Sequence, residues 1–222
     1  MEKISRNVIQ IGTIGDSKVG KTNMSTVYTE EKFIIEHILT LGFSCLLKEE
    51  KIKIGSEEKT IKIKIWDTAG QERFKSVSIQ YIKNCLGILL VYSITDKESF
   101  QHLDNWIKDV NDKKICDNVP FVLIGNKCDL EKDRKVSKEE GEKFALKYNM
   151  KFFETSAKDN ININEAFNAL INEIIDIYKD EFLEGEEKVD DKNKDKKNNK
   201  DGGCCKKKNK KNDNEQRLNI KK

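Results

Sequence analysis

Gly15-Asp16-Ser17-Lys18-Val19-Gly20-Lys21-Thr22 places four residues between two glycines and follows the second with a cation and a hydroxyl. Such a loop turns successive backbone N–H groups inward at a helix N-terminus, which is a ready site for phosphate. In that arrangement Lys21 reaches the β- and γ-phosphates and the Thr22 hydroxyl ligates Mg²⁺. We read the nucleotide-contacting stretch as running from Gly15 through Asn23.

Three further strings match it. In Trp66-Asp67-Thr68-Ala69-Gly70-Gln71-Glu72, Asp67 stands at a strand end and is expected to hold the Mg²⁺ shell. Gly70 would bring its N–H to the γ-phosphate, and Gln71 would orient the attacking water. In Asn126-Lys127-Cys128-Asp129, the Asp129 carboxylate can accept from guanine N1–H and the 2-amino group. Adenine has no such donor pair, so the residue selects GTP over ATP. Lys127 can lie along the base. In Glu154-Thr155-Ser156-Ala157-Lys158, the Ala157 N–H could meet guanine O6, with Ser156 and Lys158 beside it. Each string alone could be a turn or a solvated surface; the order of all four, each after a strand, carries the reading.

The elements that must position these residues alternate. Strands are expected at Val8–Thr13, Leu41–Ile54, Lys59–Trp66, Leu86–Ser93, Phe121–Gly125 and Lys151–Thr155, with a turn at Gly55-Ser56. Ile61, Ile63 and Ile65 alternate with lysines and so leave one wet face, whereas Leu86–Ser93 is a continuous apolar run suited to a buried parallel strand. Helices are expected at about 97–111 and 138–149. The last, through Ile163, Ala166, Phe167, Leu170, Ile171, Ile174 and Tyr178, follows the i, i+3, i+4, i+7 pattern. Alternating strands and helices imply an α/β fold with a mostly parallel sheet, covered on both faces, whose ligand sits at the strands' carboxyl ends. We expect a folded domain over residues 1–182 and a disordered tail over 183–222.

Composition restricts the alternatives. The net charge is +3, but residues 206–222 hold seven lysines and Arg217 against Asp213 and Glu215. Only the tail is basic and no aromatics interleave it, so the folded body is not a nucleic-acid binder by charge. The six cysteines show no metal-ligand spacing and read as reduced thiols in a cytosolic protein. No apolar run is long enough to span a bilayer, so membrane contact would need a lipid or the basic tail.

The four motifs together resemble those of the Ras-superfamily small GTPases, over roughly residues 6–180. Lys64-Ile65-Trp66, Ala69-Gly70-Gln71-Glu72-Arg73-Phe74, Leu90-Val91-Tyr92-Ser93-Ile94-Thr95 and Gly202-Gly203-Cys204-Cys205 resemble Rabs in particular. The resemblance implies a P-loop NTPase fold with six strands. It implies a Thr40 hydroxyl that ligates Mg²⁺ in the GTP state, which its 19-residue spacing from Lys21 suits, and a Phe33 that packs on the guanine or ribose. It also implies Thr40, Gln71 and Lys21 as the catalytic set. Hydrolysis is expected to be slow, on the order of 10⁻⁴–10⁻³ s⁻¹ without an activating protein, because no arginine stands in cis. Exchange factor, activating protein and effectors would read the segments around Thr40 and Gly70. A monomer on the cytosolic face of an endomembrane, acting in vesicle transport, is the expected setting. The rival readings are a GTP-binding module without hydrolysis, a soluble Ras-like switch outside the Rabs, and a P-loop kinase or ATPase.

Three positions depart from the Rab pattern. Lys18 replaces a small residue within the phosphate loop; it reads either as a solvated side chain or as an alteration of nucleotide exchange. Cys45 replaces the Phe of an effector-binding aromatic triad whose other members match Trp66 and Tyr81, and the hairpin after it is longer than expected. Seventeen residues follow the Cys204-Cys205 pair. The pair is read as prenylated after loss of those residues, as palmitoylated with electrostatic help from the lysines, as followed by sequence beyond the true stop, or as idle thiols.

Overall fold

The computed structural model describes residues 7–34, 43–68, 82–112 and 119–183. Six strands form one sheet: β1 (Val8–Ile14), β2 (Phe43–Ile54), β3 (Glu57–Thr68), β4 (Gly87–Ser93), β5 (Phe121–Asn126) and β6 (Lys151–Thr155). Their order is β2-β3-β1-β4-β5-β6. Only the β2–β3 pair is antiparallel, as a hairpin of two 12-residue strands. Among the described residues six helices accompany the sheet: α1 (Lys21–Glu30), α2 (Lys97–Gln101), α3 (Leu103–Asp112), α4 (Lys138–Lys147), α5 (Ile163–Ile177) and α6 (Lys179–Leu183). The α/β, mostly parallel architecture expected from the alternating pattern is the one observed.

Side-chain parity splits the core into two layers. Leu89 and Val91 of β4 face α1 and α5, joining Met24, Phe167, Leu170 and Ile174. Ile88, Leu90 and Tyr92 face the opposite side, joining Leu103, Trp106, Ile107 and Val110 of α3 and Ala145 of α4. Every residue of β4 is therefore buried, as a continuous apolar run requires. On β3, Ile61, Ile63 and Ile65 are buried while Lys62 is exposed, so the predicted wet face is present.

Several boundaries differ from expectation: β3 runs Glu57–Thr68 instead of Lys59–Trp66, β1, β4 and β5 each shift by one residue at one end, and two helices change. The helix expected over 97–111 pauses at His102, giving α2 and α3, although the Trp106 N–H still donates to the His102 carbonyl at 3.1 Å. The helix expected over 138–149 stops at Lys147. It begins with a capping box in which Ser137 and Glu140 satisfy each other's backbone N–H groups. The long β2–β3 hairpin is held at its far end by α6: Phe182 is buried, and the Lys59 ammonium donates to its carbonyl at 2.7 Å.

Candidate functional site

The carboxyl ends of β1, β3, β5 and β6 lie along one edge of the sheet, and the motif residues follow from them. After β1 the chain makes the loop that leads into α1 at Lys21. Gly15 has φ +141°, and a Cβ there would lie 2.0 Å from the Val91 carbonyl oxygen. Gly20 has φ +100°, and a Cβ there would lie 2.2 Å from Asn126 Nδ2. Both positions therefore need glycine for conformation and for space. Lys18 also adopts a left-handed backbone, at φ +64°, with its side chain exposed. This strain was not legible from residue types, because an x position constrains none of them.

Lys21 is buried and turned back into the loop. Its Nζ donates to the carbonyls of Gly15 (2.9 Å) and Asp16 (2.7 Å). Burial lowers its pKa to about 8, against the pull of Asp67 and Asp16, which raises it. The Thr22 hydroxyl donates to Asp67 Oδ2 at 2.6 Å, so the two predicted metal-ligating groups of α1 and β3 are in contact. Thr13 Oγ1 makes a longer contact with Asp67 Oδ1, at 3.4 Å. Two hard oxygen groups side by side suit a cation such as Mg²⁺, which prefers one or two protein oxygens completed by water and phosphate.

Asp16 divides its backbone and its side chain between two sets of partners. Its backbone carbonyl faces Lys21, but its carboxylate leaves the loop: Oδ2 meets His102 Nδ1 at 2.6 Å and Oδ1 accepts from Trp106 Nε1 at 2.8 Å. His102 and Trp106 were not legible as loop supports, since 86 to 90 positions separate them from Asp16.

The second group gathers at β5 and β6. Asn126 is buried and bridges three segments: its Nδ2 donates to the Val19 carbonyl at 2.8 Å, and its Oδ1 accepts from Thr155 Oγ1 at 3.1 Å. The Asn126–Asp129 string thus contributes one residue to holding the phosphate loop. Asp129 Oδ1 accepts from Ser156 Oγ at 2.7 Å, so the carboxylate is already oriented by the neighbouring loop. Lys127 is left-handed at φ +68°, and burial lowers its pKa. Ala157 is buried, whereas Lys158 is exposed. Asn23 Oδ1 accepts from the Ile34 N–H at 3.3 Å, which ties α1 to the segment after it. Phe33 in that segment is exposed.

Thr40, Gly70, Gln71, Tyr81, Cys204 and Cys205 lie outside the described residues. Cys45 is exposed on β2 directly across from Trp66 on β3, whose indole N–H donates to Gln10 Oε1 at 2.9 Å. Among the described residues no helix is long and apolar enough to cross a membrane.

Comparison with known proteins agrees with this geometry. The model of the Ras family matches residues 10–176. Ras-related protein Rab-13 of Mesocricetus auratus is 42% identical over 175 residues, covering 79% of this chain and 84% of that protein. Ras-related protein Rab-8A of Bos taurus is 42% identical over 174 residues, covering 78% and 82%. Ras-related protein Rab-8 of Diplobatis ommata is 41% identical over 175 residues, covering 79% and 81%. The chain belongs to the Ras family and is a small GTPase of the Rab type.

Proposed function

We propose that the sheet edge binds GTP with its phosphates in the loop from Gly15 to Asn23 and its guanine between Asn126–Asp129 and Ser156–Lys158. The observation that carries this reading is the Asn126 bridge. One buried amide joins the phosphate loop through Val19 and the base loop through Thr155. A single ligand spanning both loops is the occupant that such a bridge suits.

The chemistry is attack of water on the γ-phosphorus. A bond forms from the water oxygen to phosphorus, the bond to the β–γ bridging oxygen breaks, and GDP leaves with that electron pair. The water proton ends on the released phosphate. Lys21 supplies the charge: its two acidic neighbours only partly offset burial, and phosphate oxygens would restore the fully protonated ammonium. Thr22 and Asp67 would hold Mg²⁺, with Thr40 as the third protein group in the GTP state. When bound, the ion neutralises charge developing on the β- and γ-oxygens. Gln71 would orient the water and Gly70 would sense the γ-phosphate. Asp129, aimed by Ser156, would read N1–H and the 2-amino group, with Ala157 at O6, Lys127 along the base and Phe33 against it.

The output is a switch. The segments around Thr40 and Gly70 would be ordered by γ-phosphate and released on hydrolysis, and exchange factors, activating proteins and effectors would bind there. Vesicle transport on the cytosolic face of a membrane is the role we assign, by likeness to the Rabs, with Cys204 and Cys205 as the lipid sites. The test is single-turnover GTP hydrolysis with Mg²⁺. The wild-type chain should turn over slowly and Gln71→Leu more slowly still, and an unchanged rate in that variant would refute the role of Gln71. The intact mass of the protein from its own cells tests the anchor: two isoprenoid groups on the Cys pair are expected, and an unmodified chain would remove the anchor from the account.

A further inference from the structure

Asp129 and Ser156 stand on different segments, so base recognition depends on how far apart those segments are held. Two of the cross-links already described, Ser156 to Asp129 and Thr155 to Asn126, are made within the nucleotide-binding strings themselves. A third starts outside them, at Arg134, and ends on Glu154 at the head of the second string. Arg134 follows the short 3₁₀ turn Cys128–Asp133 that carries Asp129. Its guanidinium grips Glu154 in bidentate fashion, Nη1 to Oε1 at 2.6 Å and Nη2 to Oε2 at 3.0 Å. The same group reaches back to Glu131 within the turn, Nε to Oε1 at 2.8 Å and Nη2 to Oε2 at 2.7 Å. Nη1 also donates to the Val136 carbonyl at 3.0 Å.

The two halves of this grip differ in exposure. The Arg134 and Glu154 side chains are 18% and 15% exposed, while Glu131 is 67% exposed. The Arg134–Glu154 pair is thus a shielded, two-pronged contact of the kind whose geometry a lysine cannot reproduce. Glu131 sits two residues after Asp129, and Glu154 two residues before Ser156. The guanidinium therefore spans the same gap between segments that the Ser156–Asp129 bond spans.

We propose that Arg134 is a positioning residue for guanine recognition, fixing the distance between the Asp129 turn and the Ser156 segment after β6 by holding Glu131 and Glu154 at once. The inference rests on the assignment of Asp129 to the base. The ligand contact it governs is the pair of hydrogen bonds from N1–H and the 2-amino group. Inosine diphosphate lacks the 2-amino group and keeps the rest of the nucleotide. The ratio of its Kd to that of GDP therefore reads how well Asp129 is aimed.

The experiment measures Kd for GDP and for inosine diphosphate with Mg²⁺ on the full chain, for wild type, Arg134→Ala, Arg134→Lys and Glu131→Ala. Wild type should prefer GDP by about tenfold or more, the usual size of one hydrogen bond to a charged group. Arg134→Ala should cut that preference by about fivefold, with Arg134→Lys close to it because the fork is lost. Glu131→Ala should cut it by about twofold, since only the exposed half of the grip is removed. Glu131 is exposed, so that variant keeps the test decisive should Arg134→Ala fail to fold. A preference unchanged in Glu131→Ala and in the folded Arg134 variants, even with lower thermal stability, would overturn the proposal and leave Arg134 a structural ion pair. A wild-type chain with no preference for GDP would overturn the assignment of Asp129 itself.

Discussion

The two ends of the proposed site, the loop from Gly15 to Asn23 proposed for phosphate and the Asn126–Asp129 and Ser156–Lys158 segments proposed for the base, are built by opposite means. At the phosphate end, backbone does the shaping: Gly15 and Gly20 take φ values closed to other residues, and their missing Cβ atoms admit Val91 O and Asn126 Nδ2. At the base end, side chains do it. Asn126, Asp129, Thr155 and Ser156 are placed by hydrogen bonds between loops, and Arg134 adds an ion pair. A backbone-built site tolerates no change in shape. A side-chain-built site loses function one hydrogen bond at a time.

The sharpest way to break the contrast is Gly20→Ala. The new methyl would displace Asn126, so both ends should fail together. GDP affinity should fall on the order of 1,000-fold in calorimetry, because strain and the lost Asn126 bridge act jointly. A drop under about tenfold would show that the loop is more compliant than its φ values imply.

The next effect is on pH dependence. Lys21 has a folded pKa of about 8, below its ordinary value. Between the two values the unfolded chain binds more protons, so the stability of the nucleotide-free protein should rise with pH there. The rise should be about 1.5 kcal/mol from pH 8 to pH 9.5, because the slope only approaches its limit of 1.36 kcal/mol per unit between the two values. Lys21→Met should flatten it in urea titrations, and saturating GDP should flatten it as well.

Ser156→Ala removes the hydroxyl that donates to Asp129 and accepts from the Asp159 N–H at 3.0 Å. GDP affinity should weaken by about tenfold, with little change in affinity for inorganic pyrophosphate. Equal loss for both ligands would mean that the two ends are not separable. The smallest effect is at Lys18: replacing it with glycine at φ +64° should relieve strain and raise stability by about 0.5–1 kcal/mol in thermal denaturation.

Much of this was legible from residues. The apolar run of β4, the alternation of β3 and the stripe of α5 each named their environment, because period and burial are linked by geometry. The tight loop before α1 was legible because glycine spacing is a backbone requirement. The supports were not. His102 and Trp106 on Asp16, Thr155 on Asn126 and Arg134 on Glu154 are contacts across 20 to 90 positions, made by residues that no local motif singles out. Nothing in their local sequence marks them, since tertiary placement alone brings them together. The pause at His102 was hidden for the same reason.

The most direct test of the account is an exchange of base specificity. Asp129→Asn should weaken GDP binding on the order of 100-fold and gain xanthosine diphosphate, whose base offers the complementary donors and acceptors. That outcome would place the guanine between Asp129 and Ser156, with the phosphates held by the glycine-built loop. Unaltered GDP affinity in the Asp129→Asn chain would contradict it.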